Sequence, residues 1–247
     1  MKRKINPLAI IYSTFIFVPL AIIVSAIIFI LIIIMTPIAG EKKWGYYPGR
    51  VWGRIMCFLA LSRIKIVGNE NINPQKSYIF VANHQSMFDI FLVYGYLNAK
   101  FKWIMKQEIR NTPLLGKACE SMGHIFVDRS SPMRAQKSLE AAKSRLLQGN
   151  NSIFLFPEGT RSANGKIGRF KRGAFTIARD LHLPIIPVTI SGAYNVLPKN
   201  GWFITPGKIT MTIHQPIDTT NLNDENLNET IDQVKNIVES ALKKIKQ

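Results

Sequence analysis

The chain has 247 residues and a formal net charge of +17, long enough for one domain of about 200 residues plus an N-terminal appendage. So basic a chain suits nucleic acid or an anionic membrane surface, and the strongly apolar first forty residues favour the membrane over nucleic acid. Cys57 and Cys119 form no CxxC or metal-ligand spacing, and read as reduced thiols facing the cytosol.

Residues 8–39 carry no charge. As one straight helix, residues 8–37 would run roughly 45 Å, against a hydrocarbon core of about 30 Å. Pro19 interrupts the run. Two arrangements fit: a single tilted or kinked helix, or a helical hairpin that bends near Pro19 and leaves by the leaflet it entered. Lys2, Arg3 and Lys4 precede the run, and Lys42, Lys43, Arg50 and Arg54 follow it. Cations on both sides favour the hairpin, with both ends cytoplasmic. The stretch is longer than the ~7–15-residue apolar core of a cleaved signal peptide. This divides the chain into an anchor, 1–40, and a body, 41–247, at the cytoplasmic face of the cell's inner membrane. Residues 40–62 mix Trp44, Tyr46, Tyr47 and Trp52 with Arg50 and Arg54. That pattern suits either a membrane-surface stretch or an amphipathic helix covering the core.

From residue 63 onward, strand and helix signals alternate. Apolar or β-branched runs fall at 64–67, 78–82, 101–105, 125–127, 153–156, 185–190 and 209–213. A helix is expected over 132–148, with Ser131 as its cap, Pro132 at its first position and Gly149 beyond its end. A second is expected over 224–246, where Leu227, Ile231, Val234, Val238, Leu242 and Ile245 recur at spacings of three and four. Acids open it and lysines close it, as the helix dipole favours. The alternation predicts an α/β fold with a mixed, largely parallel sheet flanked by helices, behind the N-terminal membrane-embedded helical segment.

Open α/β sheets bind ligands beyond the carboxyl ends of their strands. Four polar signals stand there: His84 and Asp89 after the run ending at residue 82, Lys106 after 105, Arg129 after 127, and Glu158 to Arg161 after 156. If those strands are parallel neighbours, the signals share one crevice.

His84 and Asp89 are five apart, so on one regular helix they would point about 140° away from each other. They meet only if His84 lies in the loop and Asp89 in the first helical turn. Asp89 can then accept from Nδ1–H, leaving Nε2 as a general base. Ser86 lacks the surroundings of a nucleophile elbow and reads as a small polar residue opening a helix. Phe156 to Arg161 reads as a strand end, a rigid turn and a close approach at Gly159. Arg161 offers a planar fork for phosphate. Glu158 would orient Arg161 or bind a substrate hydroxyl. His124, His182 and His214 are scattered without a second ligand at metal spacing, so no metal is implied.

These blocks resemble the glycerolipid acyltransferases, and among them the 1-acyl-sn-glycerol-3-phosphate acyltransferases. His84 and Asp89 stand as that family's HxxxxD motif. Gly123 to Arg129, Phe156 to Ser162, and Ile185 to Val188 stand as its later blocks, in family order. The resemblance implies transfer of an acyl chain from acyl-CoA or acyl-carrier protein to the sn-2 hydroxyl of lysophosphatidate, giving phosphatidate. His84 would take the proton and Asp89 hold its tautomer. Arg161, Lys106 and Arg129 would grip the phosphate, with Glu158, Gly159 and Thr160 shaping the pocket. No cofactor beyond the thioester co-substrate is implied. A two-helix membrane motif at the N-terminus is implied too. HxxxxD does not separate lysophosphatidate from glycerol 3-phosphate or another lysophospholipid. A non-catalytic basic membrane-surface protein would explain the charge and the anchor, but not the His–Asp pair.

Overall fold

A computed structural model describes residues 6–131, 133–135, 137, 138, 140 and 151–246. The helix expected over 132–148 lies largely outside the described residues. All seven expected strands form: β1 (Arg63–Val67), β2 (Ile79–Ala82), β3 (Phe101–Lys106), β4 (Ile125–Val127), β5 (Ser152–Leu155), β6 (Ile185–Ser191) and β7 (Lys208–Ile213). They make one sheet of order β1-β7-β6-β2-β5-β3-β4. Only the β6–β7 pair is antiparallel. The central strands β2, β5 and β6 are buried along their whole length, as unbroken apolar runs in a parallel sheet require.

Pro187 sits inside β6, yet the sheet is not broken there. Its carbonyl accepts from His214 N–H on the β7 side, one residue beyond the last paired position of β7. The donor that proline lacks would point the same way, so the pairing with β2 loses nothing.

The apolar N-terminal run does not fold back. One helix extends from Pro7 to Ala39. A π-helical turn, Ser13–Phe17, directly precedes the segment that carries Pro19. The wider turn accommodates the missing N–H and the crowding of the proline ring, so the chain continues instead of bending. The hairpin reading is therefore corrected. Packing supplies a second reason. Ser13, Phe17, Ile32 and Thr36 are buried on one stripe, with Ala21, Val24 and Ile28 partly buried between them. The body lies along this stripe for most of the helix. Leu8, Phe15, Ile22, Ile23, Ile34 and Ile38 face away and are exposed.

The second N-terminal helix is instead Tyr47–Leu59, reached through Gly40 (φ +88°) and a helical turn, Glu41–Trp44. The Trp52 indole N–H donates to Ser25 Oγ at 2.9 Å and its ring packs on Phe29. Tyr12 Oη donates to the Leu59 carbonyl at 2.8 Å. Buried Lys102 on β3 reaches Glu41 at 2.5 Å and the Met122 carbonyl at 2.6 Å, tying the sheet to the joint. Tyr47–Leu59 also crosses the helix Phe88–Tyr96 closely. A Cβ on Gly53 would stand 2.4 Å from the Phe91 carbonyl oxygen, so a side chain there would force the two helices apart. On the other side of the sheet, the helices Gly173–Leu181 and Leu227–Lys246 close a second apolar cluster.

Candidate functional site

The loop after β2 carries His84, and the helix Phe88–Tyr96 carries Asp89 in its first turn. His84 Nδ1 lies 2.8 Å from Asp89 Oδ2. The same oxygen accepts from the backbone N–H groups of Gln85 (2.6 Å) and Ser86 (2.8 Å). Asp89 is fully buried, so one carboxylate both closes the turn and holds the ring. An acceptor at Nδ1 places the imidazole proton there and leaves the Nε2 lone pair for chemistry. The His84 ring stacks on Phe156, with centroids 3.9 Å apart and planes 9° apart. The carboxylate and the stacking ring between them restrict the imidazole's rotation.

The rest of the loop is bonded just as closely. The Asn83 amide donates to the Ile190 carbonyl and accepts from the Ile190 N–H, both at 2.8 Å. It extends the β2–β6 ladder by a side chain. Gln85 Nε2 donates to the Gly165 carbonyl at 2.8 Å. Ser86 Oγ donates to the Leu197 carbonyl at 2.7 Å and accepts from Phe88 N–H, so it is a structural hydroxyl.

Glu158 does not orient Arg161. Its two carboxylate oxygens take the backbone N–H groups of His84 and Gly168, each at 2.8 Å. The Ser162 N–H in turn donates to the His84 carbonyl at 2.8 Å. The turn after β5 thus clasps the histidine's backbone from both ends. Glu158 is buried and lies behind the cavity rather than along its wall. Burial pushes its carboxyl above the usual glutamate range, and the two N–H donors pull it back. Gly159, at φ +75°, makes the turn possible.

A cavity of about 410 Å³ opens beside His84. Its polar wall is His84, Lys106, Arg129, Gly159, Thr160 and Arg161. Its apolar wall includes Met87, Ile90, Tyr94, Trp103, Cys119 and Met122, with Gly49 and Trp52 from the second helix and Ile28, Phe29 and Ile32 from the first. The carboxyl ends of β2, β5, β3 and β4 are parallel neighbours, which brings the four polar signals together. Among the described residues, neither the Arg161 nor the Lys106 side chain makes an ion pair or hydrogen bond, and Arg129 makes a long one to the Gly159 carbonyl at 3.5 Å, with the Glu108 charge nearby. Cations beside a base, opening onto an apolar chamber, suit an amphiphile with an anionic head.

Phe156, Asn83 and Gln85 matter here and sequence reasoning did not assign them. The available signal was their position within or beside the two motifs. The remaining histidines are structural. His124 is buried, accepts the Trp103 backbone N–H at Nδ1 and meets Tyr94 Oη at 2.6 Å. Burial, with Lys102 nearby, lowers its pKa to about 3. His214 Nε2 bonds Thr189 Oγ1 at 2.9 Å. His182 ends the helix Gly173–Leu181 in the left-handed region. Cys57 and Cys119 are free and buried, with thiols pushed up to about 12, which leaves little thiolate for nucleophilic work.

The protein-family model described as Acyltransferase matches residues 63–191. A 1-acyl-sn-glycerol-3-phosphate acyltransferase of Cocos nucifera is 32% identical over 204 residues, which cover 83% of this chain and 65% of that one. One of Saccharomyces cerevisiae is 31% identical over 216 residues, covering 86% and 71%. The chain spans about half the length, 49%, of a chloroplastic relative from Arabidopsis thaliana. The crystal structure of the 1-acyl-sn-glycerophosphate acyltransferase PlsC from Thermotoga maritima matches with a TM-score of 0.78 at 30% identity, covering 98% of this chain and 96% of that one.

Proposed function

This chain belongs to the acyltransferase family, and on that premise we propose that it acylates the sn-2 hydroxyl of 1-acyl-sn-glycerol 3-phosphate. The donor is an acyl thioester, carried by coenzyme A or by acyl-carrier protein. The observation that carries the reading is one cavity holding the Nε2 face of a carboxylate-held histidine, three cations and an apolar chamber.

The hydroxyl attacks the thioester carbonyl while His84 Nε2 takes its proton. The tetrahedral adduct collapses, the carbon–sulfur bond breaks, and the imidazolium returns the proton to the departing thiolate. Phosphatidate and free thiol result. The thioester is already activated, so the chemistry requires neither a metal nor a covalent enzyme intermediate. A positioned base of this kind is worth ~10²–10⁴ in rate. Arg161, Lys106 and Arg129 hold the phosphate.

The body's contact along the long helix supports an anchor lying within one leaflet. A crossing helix would carry the basic body into hydrocarbon, where charge is costly. Its exposed apolar face and the positive surface suit the anionic cytoplasmic leaflet of the inner membrane. Purified protein incubated with labelled acyl thioester and an acceptor panel tests the reading. Phosphatidate from lysophosphatidate is the expected product. Acylation of glycerol 3-phosphate alone, or of no acceptor, would reject it.

A further inference from the structure

We propose that the loop joining Val196 to Lys208 is a second membrane-docking element, with Trp202 seated at the headgroup level of an anionic bilayer. It rests on the reading that the long apolar helix lies in the bilayer.

Trp202 is 86% exposed, more than any other large hydrophobic residue described. Among the described residues its indole makes no hydrogen bond and no ring contact. A tryptophan held this way is poorly suited to water, but its amphipathic ring suits a membrane interface. The loop is not a loose tip. Thr205 N–H donates to the Val196 carbonyl and Gly201 N–H to the Pro198 carbonyl, both at 2.9 Å.

Three further contacts place the loop between the membrane helix and the cavity mouth. Ile204 N–H donates to buried Ser13 Oγ of the long helix at 3.0 Å. Ser86 Oγ, in the histidine loop, donates to the Leu197 carbonyl. Lys199 Nζ donates to Thr160 Oγ1, on the cavity wall, at 3.3 Å. Ile11 and Phe15, which flank Ser13 in the helix, are themselves exposed. Met87, which lines the cavity, is itself 38% exposed. Lys199 and Lys208 flank the indole in sequence, and cations near anionic lipid reinforce docking. The exposed indole, the loop's tie to the long apolar helix and the flanking lysines identify a lipid surface as the occupant. Seating the indole would hold the cavity mouth at the depth where a lysolipid headgroup lies.

The test reconstitutes the full chain in vesicles of phosphatidylethanolamine and phosphatidylglycerol that carry bromine at shallow or deep acyl positions. The fluorescence difference between the parent protein and Trp202→Phe isolates this indole. Stronger quenching by shallow than by deep bromine, with protection from aqueous iodide, is expected. Quenching by iodide, deep bromine quenching more strongly, or no bromine effect would each overturn the proposal. Trp202→Ser should also lose turnover several-fold on vesicle-embedded lysophosphatidate and keep it on a soluble short-chain analogue. Equal loss on both would overturn the docking role. If the parent protein acylates neither lipid, the functional reading fails, while the quenching result still decides the docking.

Discussion

The two halves of the polar wall are built in opposite ways. On the histidine side the loop is tied internally: Asn83 to β6, Gln85 to Gly165, Ser86 to Leu197, His84 to Asp89 and, through its backbone, to Glu158 and Ser162. On the cationic side, the Arg161 and Lys106 side chains engage no polar partner among the described residues. The imidazole is oriented before any substrate arrives, as the proposed general base requires. The cations keep their bonding capacity for an incoming anion. A charge already paired in the fold would bind phosphate less strongly.

Changes on each side should therefore break different kinetic quantities. His84→Ala should lower kcat by ~10²–10⁴ with the protein still folded and membrane-bound. Near-normal turnover in steady-state assays would remove the base assignment. Arg161→Ala should act on the other quantity. Losing a charged hydrogen bond costs ~1.5–3 kcal/mol, so KM for lysophosphatidate should rise roughly 10- to 100-fold with a smaller change in kcat. An effect confined to acyl-chain preference would contradict the phosphate role.

Glu158→Gln sharpens the contrast, because Glu158 lies in the cationic motif yet serves the histidine loop. A glutamine offers one acceptor where two N–H groups need one each, and an unsatisfied buried donor costs ~1–3 kcal/mol. Turnover should fall about tenfold or more with KM for lysophosphatidate little changed. A rise in KM resembling that of Arg161→Ala would make Glu158 a substrate ligand instead.

The smallest expected effect lies away from both sides. Burial lowers the pKa of His124 from 6.5 to about 3, so the unfolded chain binds the proton more readily. The contribution of neutral His124 to stability is complete above pH 6.5 and declines as pH falls towards 3. Thermal unfolding followed across that window should show a steeper acid loss in the parent than in His124→Gln. Identical slopes would contradict this assignment.

Much of the frame was legible in the chain. Buried parallel strands are unbroken apolar runs, and the polar signals stand where each run ends, so the shared crevice could be argued before any coordinates. The HxxxxD spacing also dictated a loop–helix placement for its two members, and that placement is found. Three features depended on contacts distant in sequence and were not legible. Pro19 suggested a bend, but the π-helical turn and the stripe packed on the body keep the helix continuous. Glu158 is near Arg161 in sequence, yet its partners are 74 and 10 residues away. Phe156 looked like a strand end, and only the fold shows that it stacks on the histidine.

A structure of the protein with bound lysophosphatidate would decide the central arrangement most directly. The phosphate should lie on Arg161, with Lys106 or Arg129 beside it, and the sn-2 hydroxyl within about 2.6–3.2 Å of His84 Nε2. A phosphate held away from those cations, or a hydroxyl out of reach of that nitrogen, would contradict it.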